Sequence, residues 1–434
     1  MVPTLIGARH AQALRPATAP APATPELAPP FLVGEHFVTA LFYFACGAIG
    51  LVVAAPDLAH GHFFLPRVVA VVHLFTLGWI VLSIFGALCQ FLPVAVGRPL
   101  RSTTIAHVSF AAQALGVACL VVALIAGSRS LLLVGASALT LAFVSFGANL
   151  AITLAGARER GFTFWALAAA TVSLVATPVY GLVLAFSLHV GGLEDRFGTI
   201  GEHAHIAIVG FVMIVMVGVA HRLMPMFLLT HGVTERPAWI SLALLFGAAS
   251  LLIVHHVGGV ARLVAAGALG CAGVVAMIVQ AALFFRHRKR RSIDPGMRLA
   301  AAGLVGLAIA VVLAPFALTR GMSDLRLLTT YFVVLLGAIS LFVAGHYYKI
   351  VPFLVWNHRF GPLLGKRKVP MVAELYSEKV ALANVALLVS GLVGLAIGTY
   401  VGSELLARIA ATVFAAGALL EVIVIARVAQ RKVA

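Results

Sequence analysis

The chain has 434 residues, 62% of them hydrophobic and 10% charged, with a mean hydropathy of +1.09 and a formal net charge of +16. A soluble domain carries roughly 25% charged residues, so this composition excludes a water-soluble fold. The basic excess does not point to nucleic acid, because the basic residues are distributed as membrane topology dictates.

Residues 1–36 are rich in Ala and Pro (ATAPAPATPELAPP) and lack the apolar content to build a core, so a disordered cytoplasmic tail is expected there. Nothing before Phe37 is long and apolar enough for a signal peptide. Apolar stretches able to cross a hydrocarbon core of ~30 Å then follow. They lie at 37–56, 68–93, 103–126, 130–156, 163–189, 203–228, 238–256, 262–285, 299–319, 327–352, 380–400 and 404–427. This pattern predicts an all-α polytopic membrane protein of about 12 transmembrane helices, with one transmembrane domain over 37–428 and a short cytoplasmic tail at 429–434.

With the N-terminus inside, 23 of the 30 Lys and Arg fall in cytoplasmic loops and tails, the densest runs being 286–291 and 366–368. Seven fall outside: Arg67, Arg129, Arg196, Arg262, Arg320, Arg326 and Arg408. The positive-inside rule therefore predicts a bacterial-type inner membrane protein with both termini cytoplasmic, the basic runs anchoring the loops beside anionic lipid. Cys46, Cys89, Cys119 and Cys271 lie singly within segments, and no CxxC or CxxCH spacing supports a disulfide framework or covalent haem.

Three segments share one template. From His73 the chain reads HLFTLGWIVLSIFGALCQFLP, with Gly78, Gly86 and Pro93 at fixed offsets. From His205, HIAIVGFVMIVMVGVAHRLMP places Gly210, Gly218 and Pro225 at the same offsets, and from Phe332, FVVLLGAISLFVAGHYYKIVP places Gly337, Gly345 and Pro352. The template falls on segments 2, 6 and 10 and divides the domain into three pseudo-symmetric four-helix units. Its glycines are placed to let neighbouring helices approach, and its proline is expected to end each helix.

The histidines sort into two layers. His73, His203, His205, His255 and His256 gather at one depth near the outer ends of segments 2, 6 and 7, with His60, His62 and His189 on the rim. His107, His221 and His346 belong to an inner layer, and for His107 and His346 hydrogen bonding between helices is the expected role. His221 lies about 24 Å along the helix from His205, so the layers cannot share one metal. His203 and His205 point about 200° apart and should meet different partners. Five imidazoles converging from three helices suit haem iron, copper or zinc. Asn149 and Thr177 are expected to bond to backbone.

At these residues the chain resembles subunit I of the haem–copper oxidases, particularly the C-type cytochrome oxidase and nitric oxide reductase branch, and the related NnrS haem–copper membrane proteins. The resemblance spans the transmembrane region and rests on the twelve segments, the three units, the segment 2 and segment 6 histidines, and the His-His pair 50 and 51 residues after His205. It implies haem b and copper as cofactors, with His73 similar to a low-spin haem ligand and His205, His255 and His256 similar to copper ligands. One arrangement sets haem between His73 and either His203 or His205, with the other segment 6 histidine beside the second metal. The chain departs from the pattern on segment 10, where RLLTTYFVVLLG has no His-x-His, and at Val209, where members carry Tyr or Glu. Only Glu421 among the 14 acidic residues is deep in a segment, so no carboxylate pathway for proton pumping is expected.

The expected role is redox handling or sensing of a small gas, nitric oxide or oxygen, with electrons from a separate donor protein. A competing reading is a copper transporter with an inner exit site at His221, Met224, Met226 and His231. A third is a structural subunit without cofactor.

Overall fold

The structure is a computed structural model describing residues 29–254 and 259–432. It is all-α: 86% helical, with no strand among the described residues. Among the described residues, twelve helices are long and apolar enough to cross a membrane. They are α1 (Pro30–Ala59), α2 (Pro66–Val96), α3 (Thr103–Ala126), α4 (Arg129–Ala155), α5 (Phe162–Val190), α6 (Arg196–Leu228), α7 (Arg236–Ile253), α8 (Gly259–Arg286), α9 (Pro295–Ser323), α10 (Leu325–Leu363), α11 (Glu378–Val401) and α12 (Glu404–Gln430). Such a protein sits in a lipid bilayer, its apolar outer faces turned to lipid tails.

The helix α1 begins at Pro30 rather than at Phe37. Proline suits a first helical position because its missing N–H has no helical partner there. Glu35 and His36, too polar to be read as part of a span, are accommodated in the early turns: Glu35 accepts from His107 at 2.6 Å, and His36 is fully buried.

The three units share one packing plan. In each, the first helix packs on the second and the third on the fourth, and the fourth meets the first helix of the next unit: α4 on α5, α8 on α9, α12 on α1. The template helices α2, α6 and α10 are the most enclosed of the twelve. Their glycines are contact points between helices, as the sequence implied. A Cβ on Gly86 would meet His36 Cβ at 2.7 Å, one on Gly218 would meet Ala166 Cβ at 2.7 Å, and one on Gly345 would meet the Gly296 carbonyl at 2.3 Å. Those partners lie on α1, α5 and α9, the first helix of each unit.

The template prolines behave differently from expectation. Pro93, Pro225 and Pro352 stand inside the last turn, and the α-helical stretches end three residues later at Val96, Leu228 and Val355. A proline removes one N–H but leaves those of the residues after it, so one more stretch of helix fits. Gly97 closes α2 in the left-handed conformation at φ 67°, and Leu229 does the same for α6 at φ 54°. Leu229 is the one non-glycine residue at positive φ among those described.

Contacts across loops define two ends of the bundle. At one, Arg158 N–H donates to Val96 O, Lys349 Nζ reaches Asp294 at 2.6 Å, and Arg359 donates to Arg431 O. At the other, His60 Nε2 lies 3.5 Å from Glu404 and Phe64 packs on Phe197. The runs 286–291 and 366–368 fall on the first end, and the seven residues beginning with Arg67 on the second.

Candidate functional site

Helices α2 and α6 carry the template histidines, and both change winding there. Directly after His73 the chain turns π-helical over Leu74–Val81, and directly after His205 it does so over Ile206–Met213. The helix α10, with Phe332 at the same template position, stays α-helical from Leu325 to Val355. At the template position itself the winding turns π-helical after histidine and not after phenylalanine; the π stretch of α10, Trp356–Phe360, lies at its far end. Single π turns cost hydrogen-bond geometry and concentrate at functional sites.

The His73 Nδ1 is 2.7 Å from Val69 O, one turn back, which places its proton on Nδ1. The Nε2 then carries a lone pair and has no hydrogen bond among the described residues. His203 is set in the same way: Nδ1 lies 3.1 Å from Thr177 O, a carbonyl of α5. Its ring rests over Gly181, where a Cβ would meet Cε1 at 3.2 Å. His73 and His203 stand within electrostatic reach of each other, from α2 and α6. Both are deep in the bundle, yet both keep part of their surface uncovered by protein. The two imidazoles with unengaged Nε2 atoms and backbone-held Nδ1–H groups are the donor set that axial ligation of iron requires.

His205 has a different partner set, as the 200° divergence from His203 demands. Its Nδ1 is 2.8 Å from Gly201 O, and its Nε2 lies 3.1 Å from the buried Tyr331 hydroxyl on α10. The ring also packs near Phe332, the residue that replaces histidine in the third unit. Both His205 nitrogens are therefore engaged, and metal ligation at Nε2 would require the Tyr331 hydroxyl to turn away. The sequence reading named Val209 as the position lacking a tyrosine and overlooked Tyr331, which comes from another helix 126 residues on.

The metal candidates His255 and His256 lie outside the described residues. The helix leading to them is firmly placed. Tyr180 donates to Leu252 O and Ile253 O, and Arg262 Nη1 donates to Leu251 O at 2.7 Å, so the last carbonyls of α7 are satisfied. Arg262 Nη2 also reaches Glu202 at 2.6 Å, and Tyr180 is next to Gly181. The end of α7 is thereby held at the level of His203. Among the described residues no three His, Cys, Asp or Glu side chains are grouped to hold a metal ion.

The inner histidines have separate partners: His107 bonds to another helix as expected, whereas His346 bonds within its own helix and its buried Nε2 has no hydrogen bond among the described residues. His107 bonds Glu35, His221 Nε2 lies 3.2 Å from Glu235, and His346 Nδ1 bonds Phe342 O. His36 belongs with them and was missed because the predicted span began one residue later. Glu421 is fully buried, with no hydrogen bond to either carboxyl oxygen among the described residues, and its electrostatic neighbours are Tyr347 and Tyr348 of α10. Asn149 and Thr177 bond to backbone, Asn149 to Ser102 and Thr177 to Ser173 O. Of the residues read as an exit site, Met226 and His231 are exposed, whereas His221 and Met224 turn to a common cavity.

In comparison with known proteins, no family model matches the chain and no curated protein matches it.

Proposed function

We propose that the chain is a haem-binding membrane protein, similar to haem–copper oxidase subunit I, that handles or senses a small gas such as nitric oxide or oxygen. His73 and His203 are its axial haem ligands. The observation that carries this reading is the matched state of the two imidazoles: each Nδ1 is held by a carbonyl, neither Nε2 has a hydrogen bond among the described residues, and the two rings stand within electrostatic reach of each other on two of the template helices. A haem b bound there would supply one-electron redox chemistry. Of the two arrangements open to the sequence, His203 suits the iron better than His205, whose Nε2 is occupied.

His205 and Tyr331 form a hydrogen-bonded pair that can hold or relay a proton beside the haem. Copper, with His255 and His256 as ligands, is the second half of the proposal, and His205 joins it only on releasing Tyr331. Electrons come from a separate protein, since the described residues hold no soluble domain.

Haem content tests the ligand assignment. Purified wild-type protein should show stoichiometric haem b by pyridine haemochrome, His73→Ala and His203→Ala should lose it or become high-spin, and His346→Gln should keep it. Equal haem in all four, expressed to the same level, would mean that these histidines only pack helices.

The orientation belongs to the same proposal: both termini cytoplasmic in a bacterial-type inner membrane, because the basic loops gather at one end of the bundle. In a cysteine-free background, a cysteine at position 194 should react with an impermeant maleimide in intact cells. Cysteines at 288 and 367 should not, and labelling of those two from outside would reverse the orientation.

A further inference from the structure

A second soft-donor site lies away from the template histidines. Met216 and Met224 stand eight residues apart on one face of α6, and Met277 faces them from α8. All three are buried, with exposures of 5%, 1% and 6%. Together with His221 they line a cavity of about 20 Å³. A cavity needs roughly 10–15 Å³ to hold one water, so this one has room for a single small guest.

The state of His221 shows what that guest would meet. Its Nε2 lies 3.2 Å from the Glu235 carboxylate, an ion-pair contact that favours a proton on Nε2. With the proton there, Nδ1 carries a lone pair; it is buried and has no hydrogen bond among the described residues. A cavity-lining histidine with one nitrogen beside a carboxylate and the other buried and unpartnered resembles metal-ligating histidines in its arrangement. Gln280 also lines the cavity; its Oε1 accepts from the Ala238 N–H and its buried Nε2 has no hydrogen bond among the described residues. The donor set is then three thioethers and one neutral imidazole, with no carboxylate or thiolate. Thioether and imidazole select a soft d¹⁰ ion, and hard divalent cations that need oxygen ligands are excluded.

We propose that the cavity between α6 and α8 binds one Cu(I) ion through Met216, Met224, Met277 and Nδ1 of His221. The site lies about a membrane half-width or more along α6 from His203 and His205, since Met224 is 19 residues after His205 and a helix rises 1.5 Å per residue. It stands whether or not haem binds at His73 and His203. Leucine matches methionine in volume, so Met→Leu variants should keep the packing while removing the sulfur.

The test is a competition titration of Cu(I) between the purified protein and bicinchoninate, with copper X-ray absorption on the loaded protein. To remove the copper proposed at His255 and His256, the titration uses a His255→Ala/His256→Ala background, which should bind one Cu(I) equally well with and without His73→Ala/His203→Ala, with sulfur scatterers in the first shell. Met224→Leu and Met277→Leu in that background should each bind at least tenfold more weakly. No Cu(I) binding by the background protein, or binding that both Met→Leu variants retain with nitrogen and oxygen scatterers alone, would overturn the proposal and leave the cavity to water.

Discussion

Replacing Arg262 by alanine is expected to destabilise the protein by about 3–5 kcal/mol, the loss typical when one partner of a buried ion pair is removed. Arg262 reaches Glu202 at 2.6 Å, and the two side chains are 10% and 5% exposed. The same guanidinium closes α7 through Leu251 O. Alanine takes the guanidinium away from the Glu202 carboxylate in a low-dielectric site and uncaps the helix at once. Thermal unfolding in detergent should show the loss for Arg262→Ala. Glu202→Gln/Arg262→Met, which removes both charges together, should recover most of it. A double variant no more stable than Arg262→Ala would assign the effect to lost packing. Glu202 directly precedes His203, so the single variant should also disturb any cofactor held there.

Gly345→Ala should be as damaging, for a steric reason. Its Cβ would lie 2.3 Å from the Gly296 carbonyl oxygen and 2.8 Å from the Ala300 nitrogen, both backbone atoms of α9. A flexible side chain could rotate aside, but two helix backbones can only part. Overpacking costs ~1–3 kcal/mol even where side chains can give, so a larger loss is expected here. The reverse contact is as close: a Cβ on Gly296 would meet Gly345 O at 2.6 Å. Gly247→Ala is the control, since its Cβ would meet only Leu269 Cδ1 at 3.6 Å, and alanine favours helix over glycine. Monodisperse yield and melting temperature should fall for Gly345→Ala and hold or rise for Gly247→Ala. Similar behaviour of the two would show that the α9–α10 contact yields.

The twelve spans were legible because hydrocarbon thickness imposes a length and a composition that hydropathy reads directly. The repeat was legible because close helix contacts require glycine, and Gly86, Gly218 and Gly345 are placed against the first helix of their units. Polar residues inside a span were less so. The start of α1 was read too late because Glu35 and His36 look like tail until the His107 contact and burial are seen. The π winding after His73 and His205 leaves no mark in composition, since it is a change in hydrogen-bond register. Partners from distant helices were also hidden: Tyr331 against His205, and Met277 against Met216 and Met224. What separated His203 from His205 was not their spacing but the occupant of each Nε2.

The most direct measurement of the central claim is near-infrared magnetic circular dichroism of the oxidised protein, which reads the identity of the axial ligands. Low-spin haem with two imidazoles in wild type, lost in both His73→Ala and His203→Ala, is the predicted result. Haem with any other ligand pair, or two-imidazole haem that persists when His73 and His203 are each replaced, would contradict it.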